Sequence, residues 1–132
     1  MNVTRVLIIE HEERVSRVLC RIFKRLDLEP TSANNLDDFI GLYRKLRPEI
    51  IFLSLDTPDV DHSELFNYLV EQQSQATIFL LSNMDEDKLA NFEKIGQESG
   101  LKMGGILRKP INVDSVNAKL QFWDSKVTTS LS

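Results

Sequence analysis

One cysteine, Cys20, serves a chain of 132 residues, so no internal disulfide can form and a reducing compartment is the natural setting. No apolar stretch approaches the roughly 18 residues that a membrane-crossing helix needs. The opening Met1-Asn2-Val3-Thr4-Arg5-Val6-Leu7 enters a strand pattern directly, without the charged and long apolar segments of a secretory leader. A cytoplasmic location without membrane contact is therefore expected. Positive charge is also short. Sixteen Lys and Arg face 20 Asp and Glu, a net charge of -4, which argues against gripping nucleic acid through phosphate neutralisation. The only histidines, His11 and His62, lie too scattered relative to Cys20 for zinc-ligand spacing. Glycine is scarce as well, at five residues, and none follows the first apolar run, where Glu10-His11-Glu12-Glu13 stands instead. A cofactor-binding enzyme would need a Gly-, Ser- or Thr-rich phosphate cradle there, whereas an acidic turn repels phosphate.

What is present is the balance of a soluble globular domain, 42% apolar and 27% charged. The length suits one core, with residues 1–124 as the domain and 125–132 as a polar tail or linker start. Val6-Leu7-Ile8-Ile9 reads as a buried parallel strand. Val15, Val18, Leu19, Ile22, Phe23 and Leu26 then repeat at helical spacing. A second strand at Glu29–Ala33 carries Pro30, which suits a sheet edge. Asn34 or Asn35 caps the next helix, whose stripe is Leu36, Phe39, Ile40 and Tyr43 and which ends before Pro48. Strand three is Ile50–Leu53, and a helix from Ser63 to Gln73 buries Leu65, Phe66, Leu69 and Val70. Asp59 and Asp61 read as loop and cap residues before it. Strand four is Thr77–Leu81, followed by a helix over Asp85–Gln97 that Gly100 stops. Strand five is a short Gly105–Leu107, and the last helix, Val113–Trp123, carries Val113, Val116, Leu120 and Trp123.

Five strands alternating with five helices imply right-handed crossovers and a parallel sheet covered on both faces. In such α/β sheets the working site lies beyond the carboxyl ends of the strands. There the sequence puts Glu10-His11, Ser54 to Thr57, Ser82-Asn83 and Arg108-Lys109.

The segment Pro48-Glu49-Ile50-Ile51-Phe52-Leu53-Ser54-Leu55-Asp56-Thr57-Pro58 resembles the third strand and following loop of bacterial response-regulator receiver domains. An acid after strand one, a proline four residues past the end of strand three, a hydroxyl ending strand four and Lys109-Pro110 after strand five extend that resemblance over roughly residues 4–123. It implies a flavodoxin-like (βα)5 fold with strand order 2-1-3-4-5. It also implies a site in which an aspartate ending strand three attacks phosphorus beside Mg²⁺. In that site a strand-five lysine pairs with the acid, and a strand-four hydroxyl turns in to the phosphoryl group.

Ser54 stands at the acceptor position, a weak nucleophile without a base. His11 is set aside as that base because no third group orients it. His11 also replaces the acid that resembles the closer metal ligand, leaving Glu10 as one carboxylate where the pattern has three. Mg²⁺, and any other cofactor, is therefore not expected, with Glu10 and Asp56 the weak candidate ligands. Ser54 is expected to hydrogen-bond Lys109 or a loop amide, and Glu10 to form a permanent contact with Lys109. Asp56 is expected to sit displaced from Lys109 and Ser82. Ile106 stands where receivers often carry a switching aromatic, Lys109–Pro110 is expected to be cis, and His62, in place of a common glycine, is expected to face solvent.

The resemblance thus points to a degenerate receiver, or pseudo-receiver, acting in signal transduction as a phosphorylation-independent interaction module rather than an enzyme. Its partner would be a protein on the face of the fourth helix, fifth strand and fifth helix, or a second copy in a homodimer, with Phe122 and Trp123 as anchors. One alternative is a phosphorelay receiver modified at Asp56 or Ser54. Another is the regulatory domain of an EAL-type cyclic-di-GMP phosphodiesterase, which the stretch Gly100 to Ile111 resembles.

Overall fold

The computed structural model describes residues 3–57 and 60–121. Five parallel strands, β1 (Arg5–Ile9), β2 (Glu29–Ala33), β3 (Ile50–Ser54), β4 (Thr77–Ser82) and β5 (Lys102–Arg108), form one sheet in the order β2-β1-β3-β4-β5. Between them run α1 (Glu13–Arg25), α2 (Leu36–Leu46), α3 (His62–Glu71) and α4 (Glu86–Glu98), and a fifth helix, α5, covers 113–121 as far as it is described. The parallel sheet covered on both faces is the one expected from the alternation, and its order is the flavodoxin-like one that the resemblance implied. Pro30 indeed lies on an edge strand, β2, where a missing N–H leaves no central ladder bond unmade.

The continuous apolar runs are explained by burial on both faces. Leu7, Ile9, Ile51, Leu53, Ile78 and Leu80 point into one core, with Phe39, Leu65, Leu69 and Leu89 from α2, α3 and α4. Val6, Ile8, Ile50, Phe52, Phe79 and Leu81 point into the other, with Leu19, Ile22 and Phe23 of α1 and Val116 and Leu120 of α5. Phe52 sits between Phe23, edge-on at 4.8 Å, and Phe79, stacked at 4.9 Å. Each such pair contributes about 1 kcal/mol beyond its buried area. Among the described residues, side-chain caps fix four helix starts: Asn35 accepts from the Asp38 amide, Asp61 from Glu64, Asp85 from Asp87 and Lys88, and Asn112, before α5, from Ser115. Gly100, at φ +89°, closes α4.

Several boundaries differ from the sequence reading. β5 spans Lys102–Arg108 rather than Gly105–Leu107, because the ladder absorbs one extra residue instead of starting late. Ile78 faces Met103 and Phe79 faces Gly105, which leaves Gly104 as the bulge. α3 begins at His62 and ends at Glu71. Val70, read as buried, is substantially exposed, as are Leu26 and Val113 of the first and last helical stripes; each stands at or next to a helix end. Pro58 and Asp59, the anchors Phe122 and Trp123, and residues 124–132 lie outside the described residues.

Gly104 and Gly41 should respond oppositely to alanine. A Cβ on Gly104 would lie 2.7 Å from both the Phe79 ring and Thr77 Cγ2, whereas one on Gly41, inside α2, meets nothing within 4 Å. Urea unfolding should show Gly104→Ala losing about 1–3 kcal/mol and Gly41→Ala gaining roughly 0.5–1 kcal/mol.

Candidate functional site

Parallel strands bring their carboxyl ends to one edge, and the chain leaves β1 and β3 toward opposite faces, which opens a crevice between them. Lys109, just past β5, projects into it with 8% of its side chain exposed. Its ammonium lies 3.0 Å from Glu10 Oε2 and donates to Oε1 at 3.3 Å. It is also 3.4 Å from Asp56 Oδ2 and 3.8 Å from Glu12 Oε1. The expected Glu10–Lys109 contact is thus present, and Glu10 is fully buried with it. Burial works to lower the Lys109 pKa, but the Glu10 carboxylate, joined by Asp56, outweighs it and holds the ammonium above its ordinary 10.5.

Asp56 is not displaced from Lys109 and Ser82. Leu55 still extends the ladder, its amide donating to the Leu81 carbonyl at 2.9 Å. A turn at Leu55-Asp56 then brings the Asp56 carboxylate to the end of β4. Ser82 Oγ donates to Asp56 Oδ1 at 2.6 Å, and the Asn83 amide donates to Oδ2 at 3.2 Å. Ser82 Oγ in turn accepts from the Met84 amide at 2.9 Å. Burial works to raise the Asp56 pKa, but the Ser82 hydroxyl, the Asn83 amide and Lys109 together pull it below 3.8. Distance counted along the chain misled here, because the turn redirects the side chain.

Ser54 is fully buried, and its hydroxyl has no hydrogen-bond partner among the described residues. The expected bond to Lys109 or a loop amide is not made, since the ammonium is occupied by carboxylates. No Ser54–His11 pair forms either. His11 turns its Nδ1 to Glu10 at 3.3 Å, with Nε2 4.0 Å from Glu12. His62 is half-buried rather than turned out to solvent. The Asp61 cap starts α3 so that His62 Nε2 reaches the Ser54 carbonyl at 3.3 Å, with its ring edge-on to Phe92 of α4 at 6.0 Å. Burial lowers its pKa below 6.5 against the opposing pull of the Ser54 carbonyl, Asp61 and Asp56. Ile106 is half-buried, pairs with Leu80 and packs on the core shared by α2, α3 and α4. Lys109–Pro110 is cis. Cys20, on α1, is half-buried.

The sequence reading missed the roles of Asn83 and Met84, which act through backbone amides that no side-chain pattern reveals. It placed Glu12 only in the acidic turn after β1, not beside Lys109. Glu10, His11 and Glu12 each offer a ligand atom within 4.8 Å of one another. That donor set fits Mg²⁺ poorly: an imidazole favours borderline metals, and the one buried carboxylate already holds the Lys109 ammonium.

The shifted groups give a signed pH dependence. Asp56 should titrate below 3.8 by carbon-detected NMR, and its contribution to stability, full above 3.8, should fade as pH falls through the folded value. His62 should titrate below 6.5. The unfolded chain then takes its proton first, so stability should fall as pH drops from 6.5 toward the folded value. Lys109→Met should lose about 3 kcal/mol in urea unfolding, because it leaves Glu10 buried without a counter-charge.

The family model "Response regulator receiver domain" matches residues 6–121. The positive alginate biosynthesis regulatory protein of Pseudomonas aeruginosa is 27% identical over 120 residues, 88% of this chain and 45% of that protein. Regulatory protein AtoC of Escherichia coli is 22% identical over 121 residues, 90% of this chain and 25% of that protein. The chain therefore spans less than half the length of either curated relative. Among solved structures, the chemotaxis protein CheY4 of Vibrio cholerae superposes with a TM-score of 0.78 at 17% identity, covering 91% of this chain and 98% of that one. A CheY-like receiver from Methanospirillum hungatei gives 0.81 at 12% identity over 98% and 99%. A Burkholderia pseudomallei response regulator bearing a phosphorylated aspartate and a calcium ion gives 0.74 at 24% identity over 98% and 73%. With nearly all of its described length matched to that model, the chain belongs to the response regulator receiver domain family.

Proposed function

We propose that this receiver works in signal transduction as a phosphorylation-independent interaction module. One observation carries the reading: β3 ends in a fully buried hydroxyl with no hydrogen-bond partner among the described residues, while the ammonium of Lys109 is already held by Glu10 and Asp56. A hydroxyl without a base is a poor nucleophile toward phosphorus. The lysine that would pair with an incoming phosphoryl group has its counter-charges within the chain. Mg²⁺ plays no part in this reading, and the chain acts as a binding partner rather than a catalyst.

The partner face is that of α4, β5 and α5, where Ile95 and Val113 are exposed apolar residues. A second protein or a second copy of this chain would dock there, in the cytoplasm. Among the described residues no helix is long and apolar enough to cross a membrane, and the net negative charge disfavours nucleic acid.

A second reading has an observation of its own. Asp56 is a quarter exposed, holds its proton only weakly, and already touches Ser82 and Lys109. It is therefore placed to act as a substitute acceptor: a carboxylate oxygen would attack phosphorus and expel the donor's leaving group. Intact-mass analysis after acetyl phosphate and Mg²⁺ separates the two. The expected result is no phosphoryl adduct on wild type or on Ser54→Ala. A stoichiometric adduct that disappears in Asp56→Asn overturns the first reading in favour of the second.

A further inference from the structure

We propose that Asp56 is a resident anion that fixes the β4–α4 loop, so that α4 is presented in one orientation without covalent modification. The inference rests on the phosphorylation-independent reading and assigns the regulation of that same site. Three consecutive residues depend on this one carboxylate. The Ser82 hydroxyl donates to Oδ1 at 2.6 Å and the Asn83 amide to Oδ2 at 3.2 Å. The Met84 amide donates at 2.9 Å to the same Ser82 oxygen. A serine hydroxyl has one proton, so giving it to Asp56 orients the lone pairs toward Met84. The bond to Asp56 and the bond from Met84 support each other, as linked hydrogen bonds do.

No slack separates this relay from the helix. Met84 packs on the core shared by α2, α3 and α4, and the next residue, Asp85, accepts from the Asp87 and Lys88 amides as the α4 cap. The start of α4 is therefore tied through adjacent residues to a side chain on the β3–α3 loop. Lys109, 3.4 Å from Oδ2, keeps the carboxylate ionised, and only the ionised form accepts on both oxygens. Asparagine is close in shape but offers one acceptor oxygen, and its amide hydrogens would face either a hydroxyl proton, the Asn83 N–H or the Lys109 ammonium. The vacated cradle in an alanine variant is a hydroxyl, an amide and an ammonium, a set that suits a small carboxylate.

Amide hydrogen exchange on the full chain tests this. In Asp56→Asn, Asn83, Met84 and the first turn of α4 should exchange about tenfold faster or more, the effect of losing one charge-assisted hydrogen bond, with β1 and β3 unchanged. In Ser82→Ala, Met84 should lose protection while Asn83 keeps it. In Asp56→Ala, acetate should restore protection at Asn83, and chloride at equal ionic strength should not. Wild-type exchange at Asn83 and Met84 in both Asp56 variants overturns the proposal, as does a Ser82→Ala variant that leaves Met84 protected. A phosphoryl adduct on the wild-type chain would overturn the functional reading instead, and it is read by mass rather than by exchange.

Discussion

A single ammonium group sets the terms for the carboxyl edge of this sheet. Lys109 is nearly buried, and a buried cation is tolerable only when counter-charges and hydrogen bonds replace the water it has lost. Glu10 supplies one counter-charge from the end of β1 and Asp56 supplies another from the loop after β3. Because those carboxylates are committed to the lysine, they are also committed in position. Asp56 thereby becomes an acceptor for Ser82 and Asn83, and Glu10 becomes one for the Glu12 amide at 3.2 Å. The ends of β1, β4 and β5 are thus joined electrostatically to one another and to the β3–α3 loop.

Much of this architecture is legible in the sequence because it rests on periodicity. Val6 to Ile9 and Ile50 to Leu53 are continuous apolar runs because both faces of those strands are covered, and the structure buries every one of these residues completely. The α1 stripe and the Asn35, Asp61 and Asp85 caps are equally local, so neighbouring residues suffice to place them. β5 was read too short for a physical reason. Gly104 contributes no side chain to a strand pattern, yet Phe79 and Thr77 leave no room there for a Cβ. The missing side chain was the packing feature itself.

The site was legible in membership and not in geometry. Glu10, His11, Ser54, Asp56, Ser82 and Lys109 could all be found by asking which residues follow the strand ends. Which of them touch depends on turns and helix starts that periodicity does not encode. His62 reads as an exposed polar residue after a cap, but the first turn of α3 points its ring back to the Ser54 carbonyl and Phe92. Asp56 reads as a loop residue beyond the acceptor position, but the ladder bond at Leu55 and the turn after it return its carboxylate to β4. Backbone donors such as the Asn83 and Met84 amides are invisible in any residue pattern.

Ser54 and Asp56 are best understood together, as one charge distribution. Lys109 already faces two close carboxylates, Glu10 and Asp56, with Glu12 at 3.8 Å. A carboxylate at residue 54, at the end of β3, would be fully buried as well, and its charge would require another cation to offset it. A neutral hydroxyl at that position removes the requirement. The energetic penalty that remains is one unsatisfied hydroxyl, about 1–3 kcal/mol, which is smaller than that of an unpaired buried carboxylate. The hydroxyl of Ser54 thus spares the site a further buried acid, and Glu10 and Asp56 remain the two close carboxylates that the one ammonium of Lys109 holds.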